Sequence, residues 1–338
     1  MKLKRIAIDR HATHALGHGR RWHRAAAWLA VLMIAGCVPV MPSGDVDSSG
    51  TYLVVTDRVT GAFRRTYHVH LPPYALDRGD LPLVVVVHGA FDTAAGMERY
   101  TGFSDIADRE GFIVLYPNGI GILGLLQHWN AGHCCGKAAH DGIDDVGFVA
   151  AAIQEVTDRF PVNPQKIYMV GFSNGGMFTY RFAAERGELL AGAAALAASV
   201  NSVVVGDSRP QAPPDPATPV PMIIIHGKDD TDVPYSGSPS QRGGTPRIYW
   251  SVDESVRTWR VRNGCRPSPQ TSQLFSGAVQ VKRWSDCRSG AAVLLYTIDG
   301  WGHVWPGPYF TDALEEGNPL KGFDAAEIIW SAFESADP

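Results

Sequence analysis

Basic charge is in short supply. The 338 residues hold 30 lysines and arginines against 34 aspartates and glutamates, with five cysteines. Residues 1–36 carry seven of the basic residues (Lys2, Lys4, Arg5, Arg10, Arg20, Arg21, Arg24) and one acidic residue, Asp9. Without them the chain has 23 basic residues against 33 acidic, a net charge of −10. An acidic chain with no basic cluster has no surface suited to nucleic acid or to anionic lipid. The apolar run 25–35 is about a dozen residues, short of the ~20 that cross a bilayer as a helix. No internal repeat is visible.

That short run has a meaning of its own. It follows Arg20, Arg21 and Arg24 and ends at Ile34-Ala35-Gly36-Cys37, the order of charges, apolar core and small residues in a secretory signal. The last four residues resemble the bacterial lipobox, which implies cleavage before Cys37 and lipid attachment to its thiol. Residues 1–36 are thus expected to be a lipoprotein signal peptide. The segment 37–50 (CVPVMPSGDVDSSG) lacks periodicity and reads as a flexible tether, leaving 51–338 as one domain. With Cys37 used by lipid, four cysteines remain, and an even number in an exported chain points to two disulfides. Cys265 and Cys287 lie in the similar turns NGC and SDC and are expected to pair. Adjacent Cys134 and Cys135 would then form a vicinal bridge or stay reduced.

About 290 residues, in a chain with 45% apolar content, support one large core. Strand-like segments at 51–57 and 66–71 are followed by apolar runs at 83–87, 112–116, 167–170 and 222–225. These runs are continuous rather than alternating, as in parallel strands covered on both faces. Helical patterns lie between them. The clearest spans 145–160, with Val146, Val149, Ile153, Val156 and Phe160 on one face and Pro161 as its stop. A strand at 292–298 and an amphipathic helix at about 324–334 close the chain, and 206–219 and 236–244 read as surface insertions. Strands alternating with helices predict a doubly wound, mostly parallel α/β sheet.

GFSNGG at 171–176 contains G-x-S-x-G, which chance alone gives in roughly one chain in ten of this length. Its setting makes it more specific. Ser173 follows the strand-like IYMV and precedes the helical MFTYRFAAER, the strand–turn–helix context of a nucleophile elbow. A serine there needs a base and an acid from loops after later strands. Asp229, Asp230 and Asp232 follow the apolar run 222–225, and Asp230 is the favoured acid. His303, in DGWGHVWPG just past 293–298, is the favoured base. His88 and His226 end core strands and are expected to organise turns. Ala90, after the strand 83–87, and Asn174, directly after Ser173, are expected to offer the two backbone N–H groups of an oxyanion hole.

HWNAGHCCGKAAHD raises a metal alternative through His128, His133, Cys134, Cys135 and His140. Adjacent cysteines point in different directions, so a loop beside the substrate cleft is the favoured reading. Together HGAFD, HWNAGHCCG…GIDDVGF, GFSNGG, HGKDDTDVPY, the NGC segment and GHVWPG resemble the bacterial polyhydroxybutyrate depolymerase-like esterases, relatives of the feruloyl esterases of carbohydrate esterase family one. The resemblance covers most of 50–335. It implies an α/β-hydrolase fold, a Ser173–Asp230–His303 triad and no cofactor. It also implies that Trp129 and Trp305 line the substrate site. Asp144 and Asp145 are explained by capping of the following helix. The expected partners are an ester substrate and, through Cys37, the membrane; the chain is expected to be an extracytoplasmic monomer. A peptidase on the same fold and a non-catalytic ligand-binding lipoprotein are the competing functions.

Overall fold

A computed structural model describes residues 50–335, apart from 61–62, 123, 206–212 and 241–246. The expected signal peptide, Cys37, the expected tether up to residue 49 and parts of both expected surface insertions lie outside the described residues. The strands in chain order are β1 (Gly50–Thr60), β2 (Phe63–Leu71), β3 (Leu81–Val87), β4 (Ile113–Pro117), β5 (Ile120–Ile122), β6 (Leu125–His128) and β7 (Val162–Phe172). They continue with β8 (Gly192–Leu196), β9 (Ser202–Val204), β10 (Met222–Gly227), β11 (Arg247–Tyr249), β12 (Gln270–Leu274), β13 (Val279–Trp284) and β14 (Val293–Ile298).

Ten of them form one sheet in the order β1-β2-β4-β3-β7-β8-β10-β14-β13-β12. The six central strands, β4 to β14 in that order, pair in parallel, and antiparallel strands flank them on both sides. The pattern of β3 explains the layering. Val85 and Val87 enter one buried cluster while Val84 and Val86 enter the other, so each face of the sheet is covered. A strand covered on both faces reads as an unbroken apolar run, as the sequence does at β3, β4, β7 and β10. The helix Asp145–Arg159 lays Val146, Val149, Ile153 and Val156 on the first face. The helix Ala325–Ser335 covers the other with Ile329, Trp330 and Phe333.

The strand β8, Gly-Ala-Ala-Ala-Leu, carries no strand signal in its composition. It forms because β7 and β10 offer parallel partners on both sides, with Met169 and Met222 each opposite Ala193. Its small residues fit the close approach of the helix Asn174–Glu185: a Cβ on Gly176 would stand 3.0 Å from the Leu196 carbonyl. Tertiary packing thus overrides strand propensity here. The sulfurs of Cys265 and Cys287 are bonded at 2.03 Å, and Cys134 and Cys135 are joined to each other.

Candidate active site

The loops leaving the carboxyl ends of β3, β7, β10 and β14 converge, the place where parallel α/β sheets bind ligands. Ser173 follows β7 directly and takes φ 54°, ψ −120°, a strained conformation for a residue with a Cβ. Its N–H donates to the Leu196 carbonyl at 2.9 Å, and its carbonyl accepts from Met177 N–H at 2.9 Å. Two glycines make the turn possible. A Cβ on Gly171 would lie 2.2 Å from the Gly175 carbonyl oxygen, and one on Gly175 would lie 2.4 Å from the Val87 and His88 carbonyls. The elbow is therefore pressed against the end of β3.

His303 Nδ1 donates to Asp230 Oδ2 at 2.7 Å, which leaves Nε2 free to accept from Ser173 Oγ at 2.8 Å. The imidazole packs on Phe172, with ring centroids 5.2 Å apart. Trp301 braces its loop: the indole N–H donates to the Val304 carbonyl at 2.8 Å, and the Trp301 carbonyl accepts from Asp229 N–H at 3.0 Å. Of the three aspartates, Asp229 is exposed and Asp230 is buried at the histidine. Asp230 Oδ1 accepts from the N–H groups of Asp232 and Val233 at 2.9 and 2.8 Å. Burial pushes its carboxyl pKa up, but hydrogen bonds from His226 and His303 outweigh that and hold it well below the usual carboxylate range. His226 is the second support, its Nε2 donating to the Val233 carbonyl at 2.8 Å and lying 3.2 Å from Asp230 Oδ2.

Ala90 and Asn174 line the same cavity as Ser173 and His303. Asn174 is the first residue of its helix, so its N–H has no intrahelical partner. Ala90 is oriented through His88. The His88 Nδ1–H donates to the Gly89 carbonyl at 2.7 Å, while Nε2 accepts from Gly119 N–H at 3.0 Å. Carbonyl and N–H point oppositely in a trans peptide, so this bond also fixes the direction of the Ala90 N–H. Burial keeps His88 neutral, lowering its pKa to about 4.

The cavity, about 370 Å³, is walled by Phe91, Met177, Val233, the joined Cys134 and Cys135, Arg247 and Tyr249. Neither expected tryptophan reaches it. Trp129 is fully buried, stacked on Phe178 and donating its indole N–H to the His88 carbonyl at 3.0 Å. Trp305 is equally buried, against Phe103 and Phe172. Burial removes both side chains from substrate contact; they support the site from beneath. Trp129 does so with its backbone too, exchanging hydrogen bonds with the Asn174 side chain at 2.7 and 3.1 Å.

Asp144 caps its helix as expected, accepting from Gly147 N–H. Asp145 does something else: it is buried against Arg65 at 2.8 Å and accepts from Asn130 N–H at 2.8 Å, pinning the loop that carries Trp129 and the two cysteines. The histidines of that loop diverge, His133 to Ser202 and His140 to solvent beside Asp141. Among the described residues, no group of three or more His, Cys, Asp or Glu side chains is disposed to hold a metal ion. Sequence reasoning missed Met177, Arg247 and Tyr249 as cavity residues. Arg247 and Tyr249 sit in a short strand with no apolar pattern of its own.

With this geometry in hand, the family follows from comparison with known proteins. The family described as Esterase PHB depolymerase matches residues 65–210. A relative named putative esterase NocK, from Nocardia uniformis subsp. tsuyamanensis, is 30% identical over 288 residues, 80% of this chain and 77% of the relative. The chain belongs to the PHB depolymerase esterase family. Feruloyl esterase B of Piromyces equi is 30% identical over 225 residues, and there the match covers 66% of this chain but 39% of the relative. The solved acetyl xylan esterase of Aspergillus awamori has a TM-score of 0.52 at 17% identity, covering 80% of this chain and 94% of that one, a likeness of fold. The protein is an esterase, a carboxylic-ester hydrolase, on an α/β-hydrolase fold. Among the described residues, no helix is long and apolar enough to cross a membrane.

Proposed function

We propose that this esterase works through an acyl-enzyme formed on Ser173. The observation that carries the reading is the unbroken hydrogen-bond chain Asp230–His303–Ser173, at 2.7 and 2.8 Å, ending on a serine held at positive φ. Ser173 Oγ bonds to the ester carbonyl carbon as His303 Nε2 takes its proton. The N–H groups of Ala90 and Asn174 hold the oxyanion. The acyl carbon–alkoxy oxygen bond then breaks, and His303 returns the proton to the departing alcohol. A water, deprotonated by His303, attacks the acyl carbon, and Ser173 leaves with the proton. Asp230 keeps the imidazole in the Nδ1–H tautomer and stabilises its cation. No step calls on a cofactor.

The substrate class we infer is polyhydroxybutyrate-type oligomers or feruloyl and acetyl esters of polysaccharide, the classes named by the family and its relatives. We further assign residues 1–36 as a lipoprotein signal, Cys37 as the lipidated residue, 37–50 as the tether and 51–338 as a monomeric extracytoplasmic domain. The order of charges and apolar residues before Cys37 supports this. Hydrolysis of short-chain nitrophenyl esters tests the mechanism: Ser173→Ala is expected to lose at least about 10³-fold in kcat, and a variant as fast as wild type would end it. A panel of hydroxybutyrate oligomers, methyl ferulate and acetylated xylan then ranks the substrates. Cys37→Ser is expected to leave the membrane fraction; unchanged fractionation contradicts the anchor.

A further inference from the structure

The cavity beside Ser173 and His303 carries a guanidinium that the acyl-enzyme steps do not use. Arg247 is half-buried and lines that cavity with Asp232, Ser240 and Tyr249. Its Nη1 donates to Ser202 Oγ at 3.1 Å and to the His133 carbonyl. These acceptors are neutral: they fix the guanidinium in place without cancelling its charge. Among the described residues, these two acceptors are the partners of the Arg247 guanidinium, and neither is a carboxylate. The neighbouring imidazole adds no second cation, since burial and the charge of Arg247 hold His133 neutral. In the described bonds Nη1 is occupied, which leaves the donors on Nε and Nη2, the edge that grips a carboxylate in a two-point fork.

We propose that Arg247 forms a carboxylate subsite, so that the preferred ester carries a free carboxylate on its acyl or its alcohol part. This rests on the reading of the Ser173 cavity as the ester site. The remaining wall suits the rest of such a molecule: Phe91, Met177, Val233 and the joined cysteines offer apolar contact to a short carbon chain between the carboxylate and the scissile carbonyl. Free carboxylates stay hydrated in water, so only a fixed cation in a partly enclosed site gives them an advantage over a neutral isostere.

Two substrate pairs separate the possible positions of the carboxylate. The acyl arm compares 4-nitrophenyl hydrogen glutarate with 4-nitrophenyl valerate; the alcohol arm compares 3-acetoxybutanoate with its primary amide. In wild type, kcat/KM is expected to favour the charged member of at least one pair by about tenfold, chiefly through KM. Arg247→Gln is expected to bring that ratio close to one, Arg247→Lys to keep part of it, and salt to reduce it. A wild type that favours the neutral member in both arms, or a ratio equal in wild type and Arg247→Gln, overturns the proposal. Calorimetric titration of Ser173→Ala with the charged esters reads the subsite without turnover. Binding that weakens about tenfold in the Ser173→Ala/Arg247→Gln double variant supports the subsite even if hydrolysis fails, and equal binding refutes it even if hydrolysis succeeds.

Discussion

Asp230 uses both of its carboxylate oxygens, one on two backbone N–H groups and the other on His303 and His226. Replacing it by asparagine keeps the shape but offers an amide N–H, or a weaker acceptor, to His303 Nδ1. Asp230→Asn is expected to lower kcat by about 10⁴-fold with little change in KM, since the wrong imidazole tautomer is favoured. Acid stability gives a second readout. The folded carboxyl titrates well below its unfolded value near 4. Between those two pH values the unfolded chain binds more protons, so stability rises with pH there. The contribution of Asp230 is complete above about pH 5 and is lost as pH falls below about 4. The gap in thermal midpoint between wild type and Asp230→Asn is therefore expected to shrink from pH 6 to pH 3, and a constant gap would contradict the charged role.

At the scale of elements, the elbow depends on how closely the helix Asn174–Glu185 approaches β3 and β7. Gly175→Ala places a methyl group 2.4 Å from two carbonyl oxygens. It is expected to cost about 1–3 kcal/mol by overpacking and, by displacing Ser173, to reduce kcat about 10²-fold; chemical denaturation and ester hydrolysis measure the two effects. This element was legible in the sequence because its glycines, strand and helix are contiguous. The apolar runs of β3, β4, β7, β10 and β14 were legible for the same reason. The strand β8 was not, because alanines become a strand only between two ready partners. The hairpin β12–β13 was missed too, and β12 is exposed along its whole length, with no apolar side to betray it. Asp145 was read as a cap because its true partner, Arg65, is 80 residues away in sequence.

Across the whole molecule, Ser173, Asp230 and His303, which hydrogen bonds join, were readable in order along the chain, whereas the walls of the cavity beside them were not. Trp129 and Trp305 were expected at the substrate, yet large aromatics near a site serve equally well as its floor, and both are buried. Arg247 reaches the cavity from a short strand that belongs to none of the motifs. Two buried histidines also shape the global pH response. Burial lowers the pKa of His88 to about 4 and, with Arg247, that of His133 to about 3. Both would protonate near 6.5 when unfolded, so the stability they contribute is full above about pH 6.5 and is lost as pH falls through the folded values. The urea midpoint is expected to fall between pH 7 and pH 4, and less steeply in His133→Asn; an equal slope would contradict the burial of a neutral imidazole.

The central claim, that Ser173 is the nucleophile that His303 activates, is tested most directly by labelling the protein with a fluorophosphonate and mapping the adduct by peptide mass spectrometry. One adduct is expected, on Ser173, absent in Ser173→Ala and formed far more slowly in His303→Ala. An adduct on another residue, or ester hydrolysis that persists in Ser173→Ala, would contradict it.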